Sequence, residues 1–320
     1  MKRLTSIEIC AGAGGQALGL EHAGFEHLAL VEIDADACQT LRTNRPQWNV
    51  VKGDLHAFSA KEFKGVDLLA GGVPCPPFSK AGKQLGNSDE RDLFPQAIRL
   101  VRECRPKSVM LENVRGLLDE IFLDYRRHIE SQLRELGYEP GWYLLSASDF
   151  GVSQLRPRVV FVALLKEFNQ MFRPPIRSAT IPKTVGELLF DLMSEQGWRG
   201  AKRWSERAND IAPTLVGGSK KHGGPDLGPT RAKRAWAQLG VDALGIANSA
   251  PAPEFVGMPR LTVPMTARIQ GFDDKEWKIW GKKTSAYRQV GNAFPPPVAK
   301  AMGEQIAFAL MSKRKVFAFR

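Results

Sequence analysis

Ser6-Ile7-Glu8-Ile9-Cys10-Ala11-Gly12-Ala13-Gly14-Gly15-Gln16-Ala17-Leu18-Gly19 decides the fold. A short β-branched run passes into a glycine-rich turn, and the turn opens a helix. Glycines there let a ligand approach the backbone at a helix N-terminus, where unpaired N–H groups collect. Outward from this stretch, β-branched runs alternate with longer amphipathic stretches to about residue 165. Strands are predicted at Ser6 to Cys10, His27 to Glu32, Asn49 to Gly53, Val66 to Gly71, Ser108 to Glu112, Tyr143 to Ala147 and Val159 to Leu165. Helices are predicted around Gly15 to Ala23, Asp34 to Asn44, Asp92 to Glu103 and Ile121 to Leu136. The alternation predicts a doubly wound α/β core, a parallel sheet covered by helices.

From Arg173-Pro174-Pro175 to about Met258, prolines and glycines scatter without a sustained period, which reads as a second, smaller, irregular domain. Beyond it, Leu261 to Phe272 and Pro297 to Met311 read as helices. The expected division is 1–172, 173–258 and a segment 259–320 that returns to the first domain. Asn292 is expected to end a polar turn, and the last helix to pack beside the first strand and complete a cofactor pocket.

The 320-residue chain carries a net charge of +11, with 43% hydrophobic and 25% charged residues. The excess of positive charge suits a polyanionic partner, although a diffuse basic surface is common without one. Cys10, Cys38, Cys75 and Cys104 form no CxxC pair, so neither a zinc site nor a disulfide framework is indicated. With no apolar leader and no apolar run long enough for a bilayer, a cytoplasmic protein without membrane contact is expected, and a monomer.

Chemistry concentrates at strand ends. Gly71-Gly72-Val73-Pro74-Cys75-Pro76-Pro77-Phe78-Ser79 follows a strand and presents one thiol between prolines, which bar helix and ladder alike. Glu32 ends the second strand and Asp54 follows the third, where one acid can bind ribose hydroxyls and the next an adenine amino group. The turn alone serves dehydrogenases or plain helix–strand packing equally well. Without the full GxGxxG spacing, a mononucleoside cofactor such as S-adenosylmethionine fits better than a dinucleotide. Glu112-Asn113-Val114 ends the fifth strand, and in an open α/β sheet Glu112 and Cys75 would share the crevice at the carboxyl ends. A carboxylic acid beside a thiolate is an acid–nucleophile pair.

Taken in order, Ala11-Gly12-Ala13-Gly14-Gly15, Pro74-Cys75-Pro76-Pro77-Phe78-Ser79, Glu112-Asn113-Val114, Gln154-Leu155-Arg156-Pro157-Arg158 and Arg288-Gln289-Val290-Gly291-Asn292-Ala293 resemble the motifs of DNA cytosine-5 methyltransferases. Cys10 departs from the phenylalanine of many members, and Pro74-Cys75-Pro76 stands in place of the commoner Pro-Cys-Gln. The resemblance implies a Rossmann-like fold that uses S-adenosylmethionine and rotates a cytosine out of double-stranded DNA. It implies Cys75 as nucleophile at cytosine C6, Glu112 as acid at N3, and Arg158 with Arg156 holding O2 or orienting Glu112. It implies cofactor contacts at Cys10, Ala11, Gly12, Gly14, Gly15, Glu32, Ile33, Asp54, Leu55, Pro74 and Asn292. Ser79, Gln84 and Ser88 would contact DNA, the last two as fillers of the vacated stack.

The compact size suggests a restriction–modification enzyme with a separate cognate endonuclease. Rivals are a transfer-RNA methyltransferase of the same fold, a DNA-binding protein without catalysis and a nicotinamide dehydrogenase. Between Arg199 and Arg234, nine basic residues face three acidic ones. In this stretch Arg203, Lys220, Lys221, Arg231 and Arg234 are the candidate DNA contacts, with arginine suited to guanine in the major groove.

Overall fold

The computed structural model describes residues 3–74, 92–217 and 225–318. Seven strands form one sheet: β1 (Leu4–Ile9), β2 (Phe25–Glu32), β3 (Val50–Lys52), β4 (Leu68–Gly71), β5 (Ser108–Val114), β6 (Tyr138–Ser146) and β7 (Pro157–Leu165). Their order is β3-β2-β1-β4-β5-β7-β6. Every predicted strand is present within a few residues. One expectation fails: the sheet is not wholly parallel, because β7 runs antiparallel to both β5 and β6. The linker from β6 to β7 is short, with only the turn Ala147–Phe150 ahead of Gly151–Arg156, and cannot hold the crossover that a parallel pair needs.

On the N-terminal side lie α1 (Gly15–His22), α2 (Ala35–Asn44), α3 (Phe94–Cys104) and α4 (Leu123–Glu135), followed by the short α5 (Lys166–Asn169). Asp34 caps α2, its carboxylate accepting from the amides of Asp36 and Ala37. Helices cover both faces of the sheet. Ile7 and Ile9 of β1 pack with Phe94, Ala97, Ile98 and Val101 of α3. Leu4 packs on the opposite face with Val298, Met302 and Ile306.

The region expected to be irregular contains three helices, α6 (Val185–Ser194), α7 (Ala201–Arg207) and α8 (Thr230–Gln238). They are short and separated by proline- and glycine-containing connections, so no long period shows in the sequence. Leu189, Met193, Trp204 and Trp236 share one buried cluster with Leu18, Leu41, Phe272 and Trp277.

After α9 (Val263–Ile269), Asn292 closes a ten-residue helix, α10 (Lys283–Asn292), where a polar turn was expected. Ala286, Tyr287 and Val290 supply that helix's buried face. The final helix, α11 (Pro296–Ala318), lies on α1. At Gly19 a methyl group would meet Ala299 Cβ at 2.6 Å, and at Gly303 it would meet Ala23 Cβ at 2.8 Å, so two glycines set the close approach.

Candidate active site

The strand order reverses between β1 and β4, which opens a crevice outside the carboxyl ends of the strands. A cavity of about 750 Å³ occupies it. Cys10 to Ala13, Gly15 and Gln16 form one wall, Glu32 to Asp34 and Gly53 to Leu55 a second, and Gly72 to Pro74 with Glu112 to Val114 a third. Arg158, Arg288, Gln289 and the stretch Asn292 to Phe294 complete it.

The glycine turn is built on left-handed backbone: φ is 51° at Cys10, 55° at Gly12 and 81° at Gly14. Glu32 holds it in place, one carboxylate oxygen accepting from Gly12 N and the other from Asp34 N, both at 2.7 Å. Trp277 braces it from behind by donating its indole N–H to Ala13 O at 2.9 Å. Gly14, expected as a cofactor contact, is not among the residues that line the cavity. A methyl group there would strike Leu41 and Trp277, so Gly14 serves close packing and the positive φ. Gly15 is equally tight, facing the Phe294 carbonyl.

On the second wall Ile33 is 65% exposed, an apolar face beside two acids. Asp54 accepts from His56 N and pairs with its Nδ1, and these contacts hold its carboxyl below the ordinary value. It is therefore a charged acceptor at neutral pH. Cys10 is a poor thiolate: burial first, then Glu32, Glu8 and Asp54, push its thiol up to about 12.

At the third wall Glu112 is buried, and its Oε1 pairs with Arg158 Nε at 2.8 Å. Burial raises its pKa from the usual range, against the pull of Arg158 and Arg156. Such a carboxyl keeps a proton into a pH range where an exposed one has lost it. Asn113 Nδ2 donates to Val73 O at 2.8 Å, which ties the chain just ahead of Pro74 to β5. Cys75, Ser79, Gln84, Ser88, Lys220 and Lys221 lie outside the described residues.

Arg156 also departs from expectation. It does not line the cavity; it is fully buried, and its Nη groups donate to the carbonyls of Leu215, Gly291 and Ala293. Sequence reasoning missed Glu8 and Gln16, which line the cavity; the Gln16 amide has no hydrogen-bond partner among the described residues, while Glu8 is held by the Ala17 backbone. Burial holds the Glu8 carboxyl well above its ordinary value. For Glu8, an acid set between Ile7 and Ile9 of β1 was the available signal. Arg203 on α7 and Arg231 and Arg234 on α8 are exposed and away from this cavity.

These walls suit a nucleoside with an amino-acid tail: acceptors for hydroxyl and amino groups, an apolar face, and the Glu8 acid and Gln16 amide deeper in. The model of the C-5 cytosine-specific DNA methylase family matches residues 4–307. The chain belongs to that family. It is 60% identical over 311 residues to the Type II methyltransferase M.NgoMIV of Neisseria gonorrhoeae, covering 96% of this chain and 98% of the relative. It is 58% identical to the Type II methyltransferase M.NaeI of Lentzea aerocolonigenes, covering 97% and 76% of the two chains. The crystal structure of DNMT2 from Spodoptera frugiperda superposes with a TM-score of 0.64 at 18% identity, over 96% of this chain and 99% of that one, and supports the fold. As a C-5 cytosine-specific DNA methylase, the chain is a DNA cytosine-5 methyltransferase, and the dehydrogenase and non-catalytic readings fall away. No helix among the described residues is long and apolar enough to cross a membrane.

Proposed function

We propose that this methylase acts in a restriction–modification system, moving a methyl group from S-adenosylmethionine to C5 of one cytosine rotated out of a specific duplex sequence. The buried Glu112–Arg158 pair, facing the nucleoside walls across one cavity, carries the reading. Glu32 would accept from the ribose hydroxyls, Asp54 from the adenine amino group, and Ile33 would pack on the adenine. When bound, S-adenosylmethionine supplies an electrophilic methyl group.

The protein's part is to make C5 nucleophilic. Cys75 adds as thiolate to C6, forming a carbon–sulfur bond, while the displaced π electrons move toward N3. Glu112, whose pKa burial raises, donates a proton there. Arg158 fixes the carboxyl and balances the carboxylate left behind. After C5 has gained its methyl, a base removes the C5 proton, the freed pair restores the C5–C6 double bond, and Cys75 leaves as thiolate. The proton at N3 returns to Glu112.

Region 173–258 is the proposed reader. Of its basic residues, Arg199 pairs with Glu254 and Lys233 with Asp226, while Arg207 donates to Ala237 O. Arg203, Arg231 and Arg234 have no such partner among the described residues, which leaves them for DNA. A monomer in the cytoplasm, sharing its site with a separately acting endonuclease, completes the reading.

The test is transfer of labelled methyl to duplex DNA, with transfer RNA as a second substrate. Modified cytosines at one repeated sequence, together with a covalent adduct on DNA carrying 5-fluorocytosine there, are expected, because fluorine cannot leave as the proton does. Methyl transfer without an adduct overturns the mechanism. Transfer to RNA alone overturns the substrate.

A further inference from the structure

Two arginines in Gln154-Leu155-Arg156-Pro157-Arg158 serve different places. Arg158 faces the cavity and Glu112. Arg156 makes no ion pair among the described residues although it is wholly buried. Such a guanidinium is costly unless its donors are used. One Nη donates to Leu215 O at 2.7 Å and Gln154 Oε1 at 3.4 Å; the other to Gly291 O at 2.7 Å and Ala293 O at 3.0 Å. These acceptors lie on three segments far apart in sequence.

Both outer segments lead to functional places. Gly291 and Ala293 flank Asn292, which lines the cavity at the end of α10. Leu215 lies three residues ahead of the 218–224 stretch, which carries Lys220 and Lys221. The segments touch directly as well: a methyl group at Gly217 would meet Arg288 O at 2.6 Å and Asn292 Oδ1 closer still. The contact is reinforced by Gln154, which accepts from Leu215 N at 2.8 Å and donates to Gln270 Oε1 at 2.8 Å. Gln270 in turn donates to Ala293 O, and the Thr214 hydroxyl donates to Leu155 O.

We propose that Arg156 is a positioning residue that locks the chain entering the DNA-reading stretch onto the end of α10 that carries Asn292 into the cofactor cavity, so that sequence discrimination and methyl-donor binding share one joint. The inference rests on the function proposed above. A planar fork reaching two segments at once is what a lysine cannot reproduce.

Arg156→Lys in the full chain is the test, with target sites first mapped for the wild type. Thermal midpoint, KM for S-adenosylmethionine, and the ratio of methylation at target against single-base-changed sites are measured per folded molecule. At least a tenfold rise in KM and a tenfold fall in the ratio are expected together, while the pH profile governed by Glu112 stays in place. Loss that follows the folded fraction, with KM and ratio unchanged, makes Arg156 merely structural and overturns the proposal. A change in only one of the two also overturns it. If Arg156→Lys does not fold, Gly217→Ala strains the same joint from the other side and must show both changes. Failure of the proposed function looks different: the wild type itself would leave duplex cytosine unmethylated.

Discussion

Glu112→Gln separates acid catalysis from architecture. The substitution keeps the shape and one acceptor for Arg158 Nε, at the position where Glu112 Oε1 now sits at 2.8 Å. Deleting one member of a buried ion pair costs about 3–5 kcal/mol; with an acceptor retained, the loss of stability should stay below that range. The rate should suffer more. Loss of a general acid costs on the order of 10²–10⁴ in rate, or ~3–5 kcal/mol on the barrier at about 1.4 kcal/mol per tenfold. Single-turnover methyl transfer at saturating cofactor and DNA measures this directly, with cofactor affinity expected to change little. The pH dependence has a definite sign. Burial raises the Glu112 pKa, so the protonated form persists to higher pH than in an exposed carboxyl, and transfer that depends on it falls as pH rises through that pKa. That fall should vanish in Glu112→Gln. In Arg158→Gln it should move to higher pH, because the cation that pulls the pKa down is gone. A Glu112→Gln enzyme retaining more than a tenth of the wild-type rate would refute the assignment.

Glu32→Ala removes the acceptor for both Gly12 N and Asp34 N, and calorimetry should show S-adenosylmethionine binding weakened at least tenfold; unchanged binding sinks the ribose assignment. Trp277→Ala should lower unfolding stability by about 3–5 kcal/mol in denaturant and also raise KM for the cofactor, since Ala13 loses its brace; an unaltered KM in the folded variant contradicts that brace. Arg231→Ala or Arg234→Ala should cost roughly 1–3 kcal/mol and relax preference at one base pair if it removes a base contact. Uniform weakening across all sequences, with a shallower salt dependence, would instead assign both to phosphates.

What was legible in the chain follows from how local each signal is. The strands, the glycine turn, the acid ending β2 and the acid just after β3 announce themselves within a few residues, and the cavity gathers Cys10, Gly12, Glu32, Asp54 and Glu112 as expected. The direction of β7 was not legible from composition, since a β-branched run is the same in either orientation. Helices α6, α7 and α8 hid for a different reason. Each spans ten residues or fewer and takes its stability from a distant partner, Trp236 of α8 lying in one cluster with Leu18 of α1. Arg156, which points into the core rather than the cavity, was misplaced because motif spacing cannot tell a side chain facing the cavity from one turned a residue's width away.

The seating of α11 on α1 has a consequence in time. Phe294 closes against Gly15, and Val298, Met302 and Ile306 pack with Leu4, Leu20 and Phe25. The ligand-facing turn at residues 12–15 is therefore enclosed only once residues 294–306 have docked on it and on α1. Closing the pocket is therefore a long-range event, complete only when residues 15 and 294 have met.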